Sequence, residues 1–108
     1  MPKRKLQAYR RLSTAAGKVW REYGALEYRE CVGDDLDVKM GVPFTRLAKP
    51  KPGEAVVFSW IVYKSRAQRD RVNARVMKDP RITKTMGQPM PFDVKRMAYG
   101  GFTVLVDL

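Results

Sequence analysis

The chain has 108 residues, 44% of them hydrophobic, and its 22 Lys or Arg against 11 Asp or Glu give a formal net charge of +11. That length fits a single domain spanning residues 1–108, and that apolar fraction is too high for disorder. With no histidine and one cysteine, His general bases, Ser-His-Asp and Cys-His catalysis, His-based zinc sites and an intrachain disulfide are all excluded.

Residues 3–23 carry Leu6, Tyr9, Leu12, Ala16, Val19, Trp20 and Tyr23 at three- and four-residue steps, which predicts an amphipathic helix. Pro2 suits its start and Gly24 its end. Gly17 lies inside it and weakens it by about 1 kcal/mol relative to Ala. Ala25–Val32 reads as a strand with Leu26, Tyr28 and Val32 on one face and Glu27 and Arg29 on the other. Gly33-Asp34-Asp35 breaks it. The connector 33–54 is rich in Gly and Pro, and its length suggests an arm or a short strand near Phe44–Leu47.

Ala55–Tyr63 is apolar on both alternating faces, the pattern of a strand covered on both sides. Ser65 and Gln68 form a capping-box pair ahead of a helix over 66–78, with Val72, Ala74, Val76 and Met77 on its buried side. Asp79-Pro80 stops it, and 81–86 adds a short helical turn. Met97–Val106 reads as a last strand, with Gly100-Gly101 as a bulge or close contact. The order is α-β-β-α-β, a ferredoxin-like βαββαβ unit of α+β class with its first strand absent.

Several segments carry a resemblance: Trp20-Arg21-Glu22-Tyr23-Gly24-Ala25-Leu26-Glu27-Tyr28-Arg29-Glu30-Cys31, Gly33-Asp34-Asp35, Val56-Val57-Phe58-Ser59-Trp60-Ile61, Met90-Pro91-Phe92-Asp93, Lys95-Arg96-Met97 and Gly100-Gly101-Phe102. Over nearly its whole length the chain resembles the YbaA-like family of bacterial proteins, a domain of unknown function. The resemblance implies a ferredoxin-like protomer of the dimeric α/β-barrel superfamily, in which the sheets of two subunits face each other. It transfers no catalytic residue and no cofactor. Members begin with a strand that has no counterpart before Pro2-Lys3 here. The expectation is a misassigned start codon or a truncated form, with the strand's place between the last strand and Ala55–Tyr63.

Segments 1–23 and 55–78 together account for the whole positive excess. Arg4, Arg11 and Lys18 on the first helix, with Arg66, Arg69 and Arg75 on the second, are the candidates for tracking nucleic-acid phosphates. The simpler reading is a solvated helix exterior, since no base-reading motif accompanies the charge. Phe58, Ser59, Trp60, Ile61 and Tyr63 fit the RNA-recognition strand pattern only loosely, and a core or dimer interface explains them with less assumption. Asp34, Asp35 and Asp37 lack the Ca²⁺-loop pattern and read as turn formers. Cys31 reads as a small buried apolar residue.

Tyr28, Trp60 and Tyr99, with Glu30 and Arg96, are the candidate lining of a small-ligand pocket; core packing is the default reading of the three aromatics. The leading reading is a homodimeric ligand-binding or interaction module. A nucleic-acid-binding protein comes second and a small cofactor-free monooxygenase-like enzyme third. No apolar run approaches the roughly 18 residues that cross a bilayer, and no apolar stretch follows the basic N-terminus as in a secretory signal. The expected compartment is the cytoplasm, with no membrane partner.

Overall fold

The first helix, α1 (Leu6–Glu22), follows a 3-10 turn over Lys3–Lys5. The structure, a computed structural model, describes residues 1–108. Gly24 ends α1 at φ 115°, a region open to glycine and strained for other residues. Its N–H bonds the Arg21 carbonyl, and the Ala25 N–H reaches the Trp20 carbonyl, each at 3.1 Å. These are the two bonds of a Schellman ending, which satisfies carbonyls the helix leaves free.

β1 (Glu27–Val32) pairs antiparallel with β2 (Val57–Val62), with Tyr28 opposite Ile61, Glu30 opposite Ser59 and Cys31 opposite Phe58. Directly opposed residues share a face. Tyr28, Glu30, Ser59 and Ile61 therefore face one way, and Arg29, Cys31, Phe58 and Trp60 the other. The Tyr28 ring lies against Gly17 of α1, so the first group faces the helices.

Between the strands, α2 (Phe44–Ala48) forms a single short turn. After β2, α3 (Arg66–Val76) starts at Ser65, whose hydroxyl accepts from the Gln68 N–H at 3.1 Å. The Gln68 side chain returns a bond to the Lys64 N–H, so the capping pair predicted from spacing forms. α4 (Pro80–Thr83) is capped by Asp79, with Pro80 at the position where a missing N–H costs nothing. The core is small: Val19, Val72, Val76 and Ile82, with Ala16, Trp20, Tyr23 and Tyr63 packed around them.

Four expectations change. Phe44–Leu47 is helical, not a strand: Pro43 holds an extended φ of −69° before it and Lys49 closes it at φ 47°. Met97–Val106 forms no strand, and the sheet has two strands. Gly101 of this segment lies against Arg69 of α3, and no backbone hydrogen bond joins the segment to β1 or β2. β2 is covered on one face only, and Phe58 and Trp60 remain 54% and 40% exposed. Leu12 and Met77 point outward and Ala74 is exposed. On α1 the buried stripe runs instead through Ser13 and Gly17, because the ring of Tyr28 claims that side of the helix.

The edge of β2 away from β1 begins a second ladder. Met1 and Ala55 exchange bonds in both directions, and the Lys3 N–H bonds the Gly53 carbonyl at 2.9 Å. On the other edge, the carbonyls of Val56 and Val62 accept from Gly33 and Leu26, on the β1 side. Backbone groups alternate sides along a strand. Val57, Ser59 and Ile61 thus present theirs to the edge that Met1–Lys3 begins to cover.

Candidate functional site

A groove of about 860 Å³ opens between α1 and the helix-facing side of β1. Its sequence logic is simple. Tyr9, Ser13 and Gly17 recur at four-residue steps on α1, and Tyr28 and Glu30 alternate on β1, so both sets face the same space. The Tyr9 hydroxyl donates to Glu30 Oε2 at 2.9 Å, and the Tyr28 hydroxyl donates to Glu30 Oε1 at 3.1 Å. One carboxylate is thus gripped by two phenols. Each of its oxygens keeps an acceptor lone pair.

Burial, reinforced by the negative charge of Glu30, pushes both phenols above the ordinary tyrosine range. Both therefore stay protonated donors at any physiological pH. Gly17 makes the arrangement possible. A Cβ there would lie 2.6 Å from Tyr28 Cδ1, well inside van der Waals contact. The Tyr28 ring also meets Trp20, with centroids 6.0 Å apart. Trp20 is itself fixed by its indole N–H on Asn73 Oδ1 at 3.1 Å, which also accepts from the Tyr63 hydroxyl at 2.7 Å. Phe92 closes over Tyr9 edge-on at 6.1 Å.

Arg10 and Lys18 stand on the α1 side of the groove and have no carboxylate within 4.0 Å. Arg21 is spent on the Ala25 and Leu26 carbonyls, holding the turn between α1 and β1. The groove thus offers a hydrogen-bond acceptor at its floor, two phenols beside it and positive charge at its mouth. Such a surface can hold a small polar molecule.

Of the five candidate pocket residues, the structure brings Tyr28 and Glu30 together and places the other three elsewhere. Trp60 is on the opposite face, stacked at 5.5 Å on Phe58, which meets Phe44 at 6.0 Å. Tyr99 is 91% exposed. Arg96 is a structural clasp. It bonds both oxygens of Glu54 at 2.7 and 3.1 Å and the Lys49 carbonyl at 2.9 Å, while Asp93 holds it at 3.3 Å. That clasp holds the Glu54 carboxyl down at about 2. A second clasp joins Asp79, Tyr23, Arg81 and Glu22 behind the core.

Tyr9 and Gly17 are the site residues that sequence reasoning missed. The available signal was a tyrosine on the inner stripe of a helix, whose hydroxyl must find an acceptor when buried, opposite a strand whose inner face includes a glutamate. Cys31 is half-buried rather than buried, because it lies on the open face beside Phe58. Asp34, Asp35 and Asp37 follow β1 without converging on a common point. Arg4, Arg11 and Lys18 are exposed on the outside of the N-terminal turn and α1, and Arg66 and Arg75 on α3; Arg69 is partly covered and bound to Asp70 at 3.1 Å. No helix is long and apolar enough to cross a membrane.

Helices on one face of an antiparallel ribbon make this a protein of mixed α and β structure. Residues 1–94 match the family described as "Protein of unknown function (DUF1428)". The chain is 42% identical over 107 residues, 99% of its length, to "Uncharacterized protein YbaA" of Escherichia coli K12, and covers 91% of that protein. The same identity and coverage hold for the YbaA proteins of Escherichia coli O157:H7 and Shigella flexneri. The chain belongs to this YbaA-like family, whose names assign no activity.

Proposed function

We propose that this chain is a small-ligand-binding module without catalytic activity that works as a homodimer. The observation that carries the ligand reading is the α1–β1 groove. Its floor is a carboxylate already oriented by two phenols, so a polar ligand finds its partners in place and little ordering remains to be done on binding.

The dimer reading rests on area. The chain exposes 8965 Å², whereas a compact monomer of 12.4 kDa exposes about 6,100 Å². Its radius of gyration is 15.2 Å, against about 13 Å for a compact chain of this length. The surplus is of the size an obligate interface removes from each partner. Phe44, Phe58 and Trp60 form its aromatic centre on the sheet face away from α1. A ferredoxin-like protomer, dimerised sheet to sheet, accounts for that face.

Native mass spectrometry of the purified chain tests both halves. Twice the protomer mass, carrying a co-purified small molecule that is lost in Glu30→Gln, is the expected result. A monomer mass at micromolar concentration sinks the dimer. A ligand-free spectrum, with no shift of the Tyr9 or Tyr28 ring signals across a screen of small polar compounds, sinks the binding site.

A further inference from the structure

The outer face of α1 shares Arg10 and Lys18 with the mouth of the groove and extends the positive charge beyond it. Only four of the 22 Lys and Arg side chains, Arg29, Arg69, Arg81 and Arg96, lie within 4.0 Å of a side-chain carboxylate. The other 18 are uncompensated at contact range, and those of α1 are concentrated on one side. Arg11 and Lys18 are two turns apart, roughly 10.5 Å along the axis, with Arg4 extending the row toward the N-terminus.

Beside this row lies a shallow depression of about 580 Å³, lined by Arg10, Arg11, Lys18 and Arg81, with Glu22 as its acid and Ala15 as its one apolar residue. Glu22 is already bound to Arg81 at 2.7 Å. The depression is therefore cationic, concave and almost without apolar lining, so a neutral apolar molecule has nothing to bury there. An extended anion does. Its charges would replace the bulk counterions that Arg10, Arg11 and Lys18 must otherwise recruit.

We propose that the outer face of α1 binds the phosphodiester backbone of double-stranded nucleic acid, independently of sequence. Two further observations narrow the occupant. The aromatic rings Phe44, Phe58 and Trp60, which could stack on unpaired bases, lie on the opposite side of the sheet from α1. The α1 face itself offers long flexible cations and no ring, which suits phosphates in a regular array rather than splayed bases. Arg66 and Arg75, exposed on the neighbouring α3, lengthen the cationic surface.

The test is fluorescence anisotropy of a labelled 20-base-pair DNA duplex of mixed sequence, titrated with the full chain. Neutralising about four phosphates predicts binding that weakens on the order of a hundredfold between 50 and 200 mM salt. A second duplex of unrelated sequence should bind within about twofold, since backbone contacts carry no sequence information. Arg4→Glu/Arg11→Glu, which touches neither the groove nor the core, should weaken binding at least tenfold, on the order of the cost of losing two phosphate contacts. Lys39→Glu/Arg46→Glu makes the same change in net charge in the 33–56 connector and should cost far less. Circular dichroism checks that both variants fold. No anisotropy change at 50 mM salt overturns the proposal. Equal loss in the two double variants also overturns it, since net charge and not this face would then be responsible. Equally tight binding of polyglutamate overturns the choice of nucleic acid in favour of an acidic protein. None of these outcomes bears on the groove, whose ligand reading is tested separately.

Discussion

The two faces of the β1–β2 ribbon are built from the same strands and differ in what covers them. On the inner face, Tyr28 meets Gly17 and Trp20, Glu30 holds two phenols, and Val19, Val72, Val76 and Ile82 close the core. On the outer face, Phe58 and Trp60 touch each other and Phe44 and little else. Alternation delivers apolar residues to both sides equally. The long helices α1 and α3 lie on the inner side, and the outer side meets only Phe44 of the short α2, so coverage and not composition decides which face is finished.

The sharpest way to break that contrast is to truncate one residue on each face. Val76→Ala should cost about 2–4 kcal/mol, because the cavity forms where nothing can collapse. Phe58→Ala should cost under about 1 kcal/mol in dilute protein, where the ring is half-solvated. It should cost more at concentrations where copies associate. Chemical denaturation at two protein concentrations reads both. Equal losses for the two variants at high dilution would erase the distinction between the faces.

Next in size is Gly17→Ala. Crowding the Tyr28 ring should cost about 1–3 kcal/mol, against a gain in helix propensity of about 1 kcal/mol. Thermal melts should show net destabilisation, and near-ultraviolet circular dichroism should show the Tyr28 and Trp20 bands change. If Gly17→Ala is stabilising, the ring does not rest on the helix.

Acid should weaken the fold through the two clasps. Hydrogen bonding by Arg96 and the Lys51 N–H lowers the Glu54 carboxyl, and Arg81 lowers Asp79. A carboxyl lowered in the folded state contributes stability that is present above its unfolded value, near 4, and is lost as pH falls through the folded value. The melting temperature should therefore drop between about pH 4.5 and 2. Glu54→Gln and Asp79→Asn should each flatten that drop while lowering stability at pH 7. A melting temperature that holds steady across the window in the unmodified chain would remove both clasps.

The smallest effect on stability and the most specific to the groove concerns Tyr9 and Tyr28. Both are raised by burial and by Glu30. Their phenols should resist ionisation when exposed tyrosine titrates, near pH 10. Ultraviolet titration should find the Tyr9 and Tyr28 phenols ionising only above that range. Glu30→Gln should bring the two groove phenols closer to the ordinary range. A titration unchanged by Glu30→Gln would mean the phenols do not share that carboxylate.

Much of this was legible in the chain. The stops at Gly24 and Asp79-Pro80, the Ser65–Gln68 cap and the positions of β1 and β2 follow from local chemistry that tertiary context did not override. The register did not follow. Tyr28 sits opposite Ile61, which sends Trp60 to the far face and separates it from Glu30. A shift of one residue would have reversed that, and no local signal fixes it. Arg96 reads in sequence as a polar group of a ligand pocket, but its partner Glu54 lies 42 residues away. Met97–Val106 has strand chemistry, but a strand also needs a neighbour in register, which composition cannot supply.

The indole partition has a practical yield. Trp20 is tethered to Asn73 within the core, and Trp60 stands half in water on the uncovered side. The two are the chain's whole tryptophan complement, so each can be silenced by Phe to leave a single emitter. A chain retaining only Trp20 would report loss of the interior. One retaining only Trp60 would shift to the blue when its surroundings dry out. Melting and self-contact would then be followed as two separate optical signals in one cuvette.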